Sequence, residues 1–367
     1  MSRIKLIAIY LPQFHPIPEN DNWWGKGFTE WTNVTKAKPR FKGHYQPHLP
    51  ADLGFYDLRV HSIMEQQASM ASEAGIYGFC FYHYWFNGKR LLQGPLDTMI
   101  IKKTPNFPFM LCWANENWTR RWDGMEHEIL VKQEYSPEDD LMHINFLIDN
   151  YFSDSRYIKI KGKPVFVIYR PTLFPNIKKT LKLWNFQLKR RGYPGLYAIY
   201  MQAFNNKIDP CEIGFDAAME FQPDFFEAPR SINIKGSILT RLLNKFRIKK
   251  SIYTQNRVLD YRLFINHMIY KPSPEYKYYP CVSPSWDNSA RKVNATVIHG
   301  HTPELFGKWL DATIEKYEPY SEEENFIFIN AWNEWAEGNH LEPDQKWGSA
   351  FLDKTKAVVN KWNKKFQ

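Results

Sequence analysis

Two glutamates three residues apart, Glu334 and Glu337, stand in the run Phe326-Ile-Phe-Ile-Asn-Ala-Trp-Asn-Glu-Trp-Ala-Glu-Gly338. Paired carboxyls are the working groups of glycosidic bond cleavage, which passes through an oxocarbenium-like transition state. One carboxyl protonates the leaving oxygen, and the other acts as nucleophile or base. The four apolar residues at 326–329 read as a strand buried on both faces. Polarity begins where that strand ends, with Asn330 and Asn333 interleaved with Trp332 and Trp335. A competing reading has one glutamate capping the loop or pairing with Arg120 or Arg121. Spacing alone does not give the carboxyl separation, so it does not give the stereochemical outcome.

Elements elsewhere must place partners around this pair. The pattern is strand, loop, helix, repeated. Expected strands are Lys5–Leu11, Tyr77–Tyr84, Phe107–Trp113, Pro164–Tyr169, Leu196–Met201, Ala217–Phe221, Tyr279–Ser283 and Phe326–Ile329. Helices are expected over Arg59–Ala74, Leu96–Ile101, Pro137–Tyr151, Ile177–Arg191, Ile238–Phe246, Val258–Ile269, Pro303–Tyr317 and Ala350–Trp362. Ser136-Pro137 and Thr302-Pro303 are N-cap and first-turn signals; Gly75 and Gly192 are stops. Eight short apolar strands alternating with helices, with no linker between them, predict an α/β fold. We read it as a single (β/α)8 TIM barrel over 1–367, with long βα loops and a basic insertion between strands six and seven. A doubly wound open sheet is the alternative. The barrel is preferred because polar and aromatic clusters follow strand after strand, not one switch point.

The strand ends of a barrel share one face. There the sequence offers Tyr10 and His15; Trp24 and Glu30; His83 and Tyr84; Trp113, Asn115, Glu116 and Trp118; Gln202; and Trp332 and Asn333. Amides, carboxylates and imidazoles hold sugar hydroxyls, and indoles cover the C–H face of the ring. These thirteen are the candidate substrate-binding residues, with Glu334 and Glu337 catalytic. His83 reads equally as a satisfied core histidine. Glu220 is open between substrate contact and charge neutralisation.

Composition sets the limits. Of 367 residues 44% are apolar, enough for a full core, and 17% are aromatic with 14 Trp, more than a core of this size calls for. Cys80, Cys112, Cys211 and Cys281 form no CxxC pair, and no HExxH occurs, so no metal and no cofactor is expected. The absence of Asp-x-Asp argues against a metal-dependent nucleotide-sugar transferase, and Gly25-x-Gly27 lacks the third glycine of a dinucleotide loop. No apolar run is long enough to span a bilayer, and the N-terminus lacks a cleavage site, so the chain reads as cytoplasmic. Between Pro229 and Glu275 ten Lys/Arg face two acidic residues, which accounts for most of the net +9. One local basic patch does not make a nucleic-acid binder. The stretch Arg241–Lys250 mixes cations with Leu242, Leu243, Phe246 and Ile248. It reads first as a solvated insertion, and second as peripheral contact with the anionic inner membrane.

The motifs Tyr10-Leu-Pro-Gln-Phe-His15, Gly27-Phe-Thr-Glu-Trp31, Gly78-Phe-Cys-Phe-Tyr-His-Tyr-Trp85, Cys112-Trp-Ala-Asn-Glu-Asn-Trp118 and Trp332-Asn-Glu-Trp-Ala-Glu-Gly338 together resemble the WbsX-type glycosyltransferases of bacterial surface-polysaccharide synthesis. That family is similar to glycoside hydrolase family 99. The resemblance spans nearly the whole chain in order. It implies a (β/α)8 barrel, an oligosaccharide or polysaccharide substrate of the O-antigen or capsule kind, lipid-linked donors included, and a retaining mechanism. Glu334 then takes the position of the base on the sugar 2-hydroxyl, through a 1,2-anhydro intermediate, and Glu337 that of the general acid and base. Ala336 stands where the hydrolases often carry His, a departure that bears on mannosidase-like specificity more than on the two carboxylates. The reading from another class is a glycan-binding barrel without turnover.

Overall fold

A computed structural model of the chain describes residues 4–119, 128–234 and 255–365. Strand alternation sorts the side chains into two layers. On β1 (Lys5–Tyr10), Ile7 and Ile9 belong to one buried cluster and Leu6, Ala8 and Tyr10 to another. The first cluster is built almost entirely from alternate strand residues: Cys80, Met110, Val165, Val167, Ile199, Met201, Ala217, Met219, Phe326 and Phe328 join it. The second includes the apolar faces of the helices, among them Met64, Leu181, Trp184, Phe306 and Val358. The first is therefore the barrel interior and the second the layer between barrel and helices.

The strands after β1 are β2 (Ile76–Phe86), β3 (Phe109–Trp113), β4 (Lys163–Ile168), β5 (Tyr197–Gln202), β6 (Ala217–Glu220), β7 in two pieces (Tyr278–Tyr279 and Cys281–Val282), and β8 (Phe326–Ile329). All neighbouring pairs are parallel. Pro280 interrupts β7 because it has no N–H for the ladder. The piece before it pairs with β6 and the piece after it with β8, where the Pro280 carbonyl still accepts from Phe328 N–H at 2.8 Å. The result is a nearly closed parallel barrel, TIM-barrel-like, and not an open doubly wound sheet.

Outside lie α1 (His61–Glu73), α2 (Gly94–Lys102), α3 (Pro137–Leu147), α4 (Ile177–Arg190), α5 (Tyr261–Tyr270), α6 (Pro303–Lys316) and α7 (Ala350–Lys365). The expected caps form: Ser136 Oγ accepts from Asp139 N–H at 3.1 Å and Thr302 Oγ1 from Leu305 N–H at 3.3 Å. One expected helix starts later than read. Val258 and Leu259 are strand residues, pairing with Val297 and Ile298 in a small sheet, Arg257–Asp260 with Thr296–His299 and Trp286–Asp287. The helix begins only after Asp260, whose carboxylate caps Leu263 N–H at 3.0 Å. Periodicity cannot separate a short buried apolar strand from a helix turn. The expected helix at 238–246, the basic stretch at 241–250, and Arg120 and Arg121 lie outside the described residues. Cys80, Cys112 and Cys281 are buried free thiols, as the strand pattern requires, and Cys211 is exposed.

Candidate active site

The loop after β7 and the turn after β8 are laced together, and this brings the chemistry into one place. Ser285 Oγ donates to the Gly338 carbonyl at 2.5 Å and Ser283 Oγ to Asn339 Oδ1 at 3.0 Å. Gly338 has φ +55, and a Cβ there would lie 2.9 Å from that of Asp287, so the close approach needs glycine. Asp287 starts the short turn Asn288–Ala290 by accepting from Ser289 N–H at 2.9 Å. Its other oxygen is held by His44 Nε2 at 2.6 Å and Gln46 Nε2 at 2.7 Å. That turn delivers Arg291 beneath the glutamates. Arg291 donates to Glu337 Oε1 at 2.9 Å and also to Glu30, which is fully buried. Glu30 comes from the short helix Glu30–Val34, capped by Thr29, and also accepts the Ala336 N–H at 3.3 Å.

Above this cluster opens a cleft of about 480 Å³ lined by Glu334, Glu337, Arg291 and Lys292, and walled by Trp23, Trp24, Tyr82, Tyr84, Trp118 and Trp286. Trp118 stacks on Tyr84 at 5.4 Å and meets Trp23 edge-on at 5.7 Å. Both catalytic candidates have carboxyl pKa values raised by burial, and Glu334 the more strongly, with Glu337 as its next cause. Arg291 opposes both shifts. A buried carboxyl and a half-buried one that repel each other keep a proton between them above the usual carboxylate range. Arg291 is itself held charged: burial alone would lower its pKa, but Glu30 and Glu337 outweigh it. Aromatic faces over paired carboxyls suit a sugar ring, whose hydroxyls meet the polar floor and whose C–H faces meet the indoles.

Residues 6–355 match the family model described as Glycosyltransferase WbsX. The chain belongs to that family. Two relatives, both "Uncharacterized protein WxcX" from strains of Xanthomonas campestris pv. campestris, are 43% and 42% identical to it over 358 residues. The match takes in 97% of the chain but 50% of each relative, so the chain spans about half the length of the curated relatives it matches. Among solved structures, the GH99 endo-alpha-mannosidase from Bacteroides thetaiotaomicron superposes with a TM-score of 0.59 at 14% identity, covering 99% of both chains. A "Glycoside hydrolase-like protein" superposes with a TM-score of 0.57 at 14% identity, covering 98% of this chain and 94% of that one. At such identity the likeness is one of fold. Among the described residues no helix is long and apolar enough to cross a membrane.

Of the residues expected to bind substrate, Trp24, Tyr84, Glu116 and Trp118 line this cleft, and Glu30 lies under it, bound to Arg291. Glu116 pairs with Arg170, whose guanidinium covers the Phe204 ring at 4.0 Å. The others lie elsewhere. For Tyr10, His83 and Trp113 the reason is strand parity, which turns them outward. Tyr10 donates to Gln67 at 2.6 Å. His83 meets His143 of α3 at 3.0 Å. Trp113 is packed against Trp184, and Trp332, past the end of β8, against Phe79. His15 is buried beside Gly94. Asn115 ties Tyr135 and the Arg170 backbone together. Gln202 bonds the Tyr276 hydroxyl and lines a side recess of about 90 Å³ that shares Phe204, Phe221 and Phe225 with the cleft. Glu220, left open above, faces outward too: it pairs with Lys271 at 3.0 Å and accepts the Cys281 N–H at 3.1 Å.

Asn333 is a clamp. Its amide accepts from Leu11 N–H at 2.8 Å and donates to the Leu11 carbonyl at 3.0 Å, joining the end of β1 to the glutamate turn. Asn333→Ala strands both buried backbone groups and is expected to cost about 2–4 kcal/mol, taking each as ~1–2 kcal/mol. Chemical denaturation measures it; a loss under about 1 kcal/mol would show that the clamp is idle.

The thirteen substrate-binding candidates do not include Arg291, Tyr82 or Trp286, although Tyr82 stands at the end of the second expected strand. Tyr82 was legible: it shares parity with Tyr84. Arg291 carried no signal, since it lies well past the end of Cys281–Val282 and only the fold brings it under Glu337.

Proposed function

We propose that the chain is a carbohydrate-active enzyme that cleaves or transfers glycosidic bonds of bacterial cell-surface polysaccharide, with Glu334 and Glu337 as the catalytic pair. The observation that carries this is a buried and a half-buried carboxyl, Glu334 and Glu337, beside Arg291 on the floor of an indole-walled cleft. Family membership supports the substrate class.

In the retaining sequence expected of family 99, Glu334 takes the proton of the sugar 2-hydroxyl. The resulting oxygen closes on C1 as the glycosidic bond breaks, and Glu337 protonates the departing oxygen. Glu337 then deprotonates water or an acceptor hydroxyl, whose oxygen attacks C1 and opens the three-membered ring as Glu334 returns its proton to O2. Two inversions at C1 give net retention. Glu334, the more strongly raised of the pair, must yield the shared proton to Glu337 before acting as base, and that proton fits on Glu337 Oε2 while Oε1 keeps accepting from Arg291. Water as acceptor makes the enzyme a hydrolase, and a sugar hydroxyl makes it a transferase.

Mass spectrometry of products from a panel of surface glycans and lipid-linked oligosaccharides, in water and with acceptor sugars, tests the proposal. Free reducing ends indicate hydrolysis and lengthened acceptors transfer. Binding without turnover across the panel would favour the glycan-binding alternative.

A further inference from the structure

A second constellation of polar side chains lies beneath the glutamate turn, outside the cleft. His48, His340 and Asp344 are all buried, and each presents one ligand atom within 4.8 Å of the others'. His340 belongs to the short strand Asn339–His340, which pairs antiparallel with Asn333–Glu334. The group therefore sits at the base of the turn that holds both catalytic glutamates.

Its orientation is set by outer contacts. His340 Nδ1 meets the Glu342 carbonyl at 2.9 Å, and a carbonyl only accepts, so that nitrogen carries the proton and Nε2 is a bare lone pair. This is how proteins fix the tautomer of a ligating histidine. The His340 ring is further held against Trp335, with centroids 3.7 Å apart. Nε2 faces His48 Nδ1 at 2.9 Å and Asp344 Oδ2 at 3.9 Å. Asp344 is anchored through its other oxygen, which accepts from Lys346 N–H at 3.0 Å and Trp347 N–H at 2.6 Å, so Oδ2 is the oxygen left to the group. The His48 ring is stacked on Tyr45. Whether the two histidines share a proton or a metal, His48 Nε2 and His301 Nδ1 are buried with no partner among the described residues. The His301 ring lies 5.8 Å from that of His48.

We infer that His48, His340 and Asp344 form a structural site for a divalent transition metal of the zinc class, which braces the turn carrying Glu334 and Glu337. Two imidazoles and one carboxylate suit zinc and not calcium or magnesium, which take oxygen ligands. Zinc–nitrogen distances of about 2.0–2.1 Å place tetrahedral ligands roughly 3.3 Å apart, between the 2.9 Å of the histidine pair and the 3.9 Å from His340 to Asp344. Water completes the fourth position. The exposed residues Gln345 and Lys346 lie next to Asp344 in the chain, so the group is one short loop from solvent.

The test uses the purified chain, stripped with a chelator and dialysed against zinc chloride. Expected are about one equivalent of zinc, a melting temperature raised by zinc and lowered by chelator, and a tetrahedral absorption spectrum when cobalt replaces zinc. Asp344→Asn keeps an oxygen for the two backbone N–H groups, so it tests the site in a folded chain. Asp344→Asn and His48→Gln are each expected to weaken zinc binding at least tenfold. Zinc below a tenth of an equivalent in the wild type, with the same melting temperature in zinc and in chelator, would leave a hydrogen-bonded histidine pair only. Undiminished zinc in both variants would place the metal elsewhere. Either result overturns the inference, and neither bears on the glycosidic function.

Discussion

Glu337→Gln and Glu334→Gln are each expected to lower turnover by about 10²–10⁴-fold, the range lost when a positioned acid or base is removed. Both variants are also expected to stay folded, and this combination marks them as catalytic. Each carboxyl is raised in pKa by burial, so folding favours its protonated form and its contribution to stability is lost as pH rises through the raised value. Glutamine mimics the protonated form. The melting temperature of either variant should therefore match or exceed wild type above the ordinary carboxylate range, the gap opening as pH rises to the raised value and holding steady beyond it. In Glu337→Gln the amide oxygen still accepts from Arg291, and Arg291 keeps Glu30. The two measurements move in opposite directions, which a general loss of structure cannot imitate. A glycan-binding barrel predicts retained binding and no turnover in either form. Turnover unchanged in both variants would refute the assignment of the pair.

Arg291→Met is expected to be the most damaging single substitution at the site. It removes the cation bonded to two carboxylates and leaves Glu30, fully buried, facing the half-buried Glu337. Breaking a buried pair from one side costs about 3–5 kcal/mol, because the remaining charge has no compensation. The loss should therefore be recovered largely by Glu30→Gln/Arg291→Met, measured by urea denaturation at neutral pH. Activity should not return in the double variant. Arg291 opposes the raised pKa of Glu334 and Glu337, so without it both rise further and the pH–activity profile is expected to move to higher pH. Arg291→Lys is expected to rescue only in part, since one ammonium cannot span Glu30 and Glu337 as the two ends of a guanidinium do. If the single and double variants unfold at the same urea midpoint, Glu30 and Arg291 are not coupled.

Several features of this protein are local and were legible in the chain. The strand Phe326–Ile329 is buried on both faces. The N-caps at Ser136 and Thr302 and the placing of Glu334 and Glu337 just past a strand end follow from residue types at fixed offsets. The barrel follows from repetition of such units, since eight parallel strands with covering helices bury their apolar faces by closing. Parity was legible too, but a list of residues near strand ends ignores it. Counting by two from Cys80 assigns Tyr82 and Tyr84 to the cleft and sends His83 outward to α3.

Which distant charges meet is a matter of the whole fold. Asp287 must be held by His44, 243 positions away, and by Gln46, 241 away, before its turn can present Arg291. Arg291 must then find Glu30, 261 positions away, and Glu337, 46 away. The same holds for His48 and His340, 292 apart. Side-chain types announce that a carboxyl or an imidazole is present. Its protonation and its partner depend on burial and on neighbours within a few ångströms, and those exist only once the chain has folded. Residue order alone specifies a barrel with two glutamates at the end of its last strand. Closure of that barrel is what gives them an arginine to share their charge.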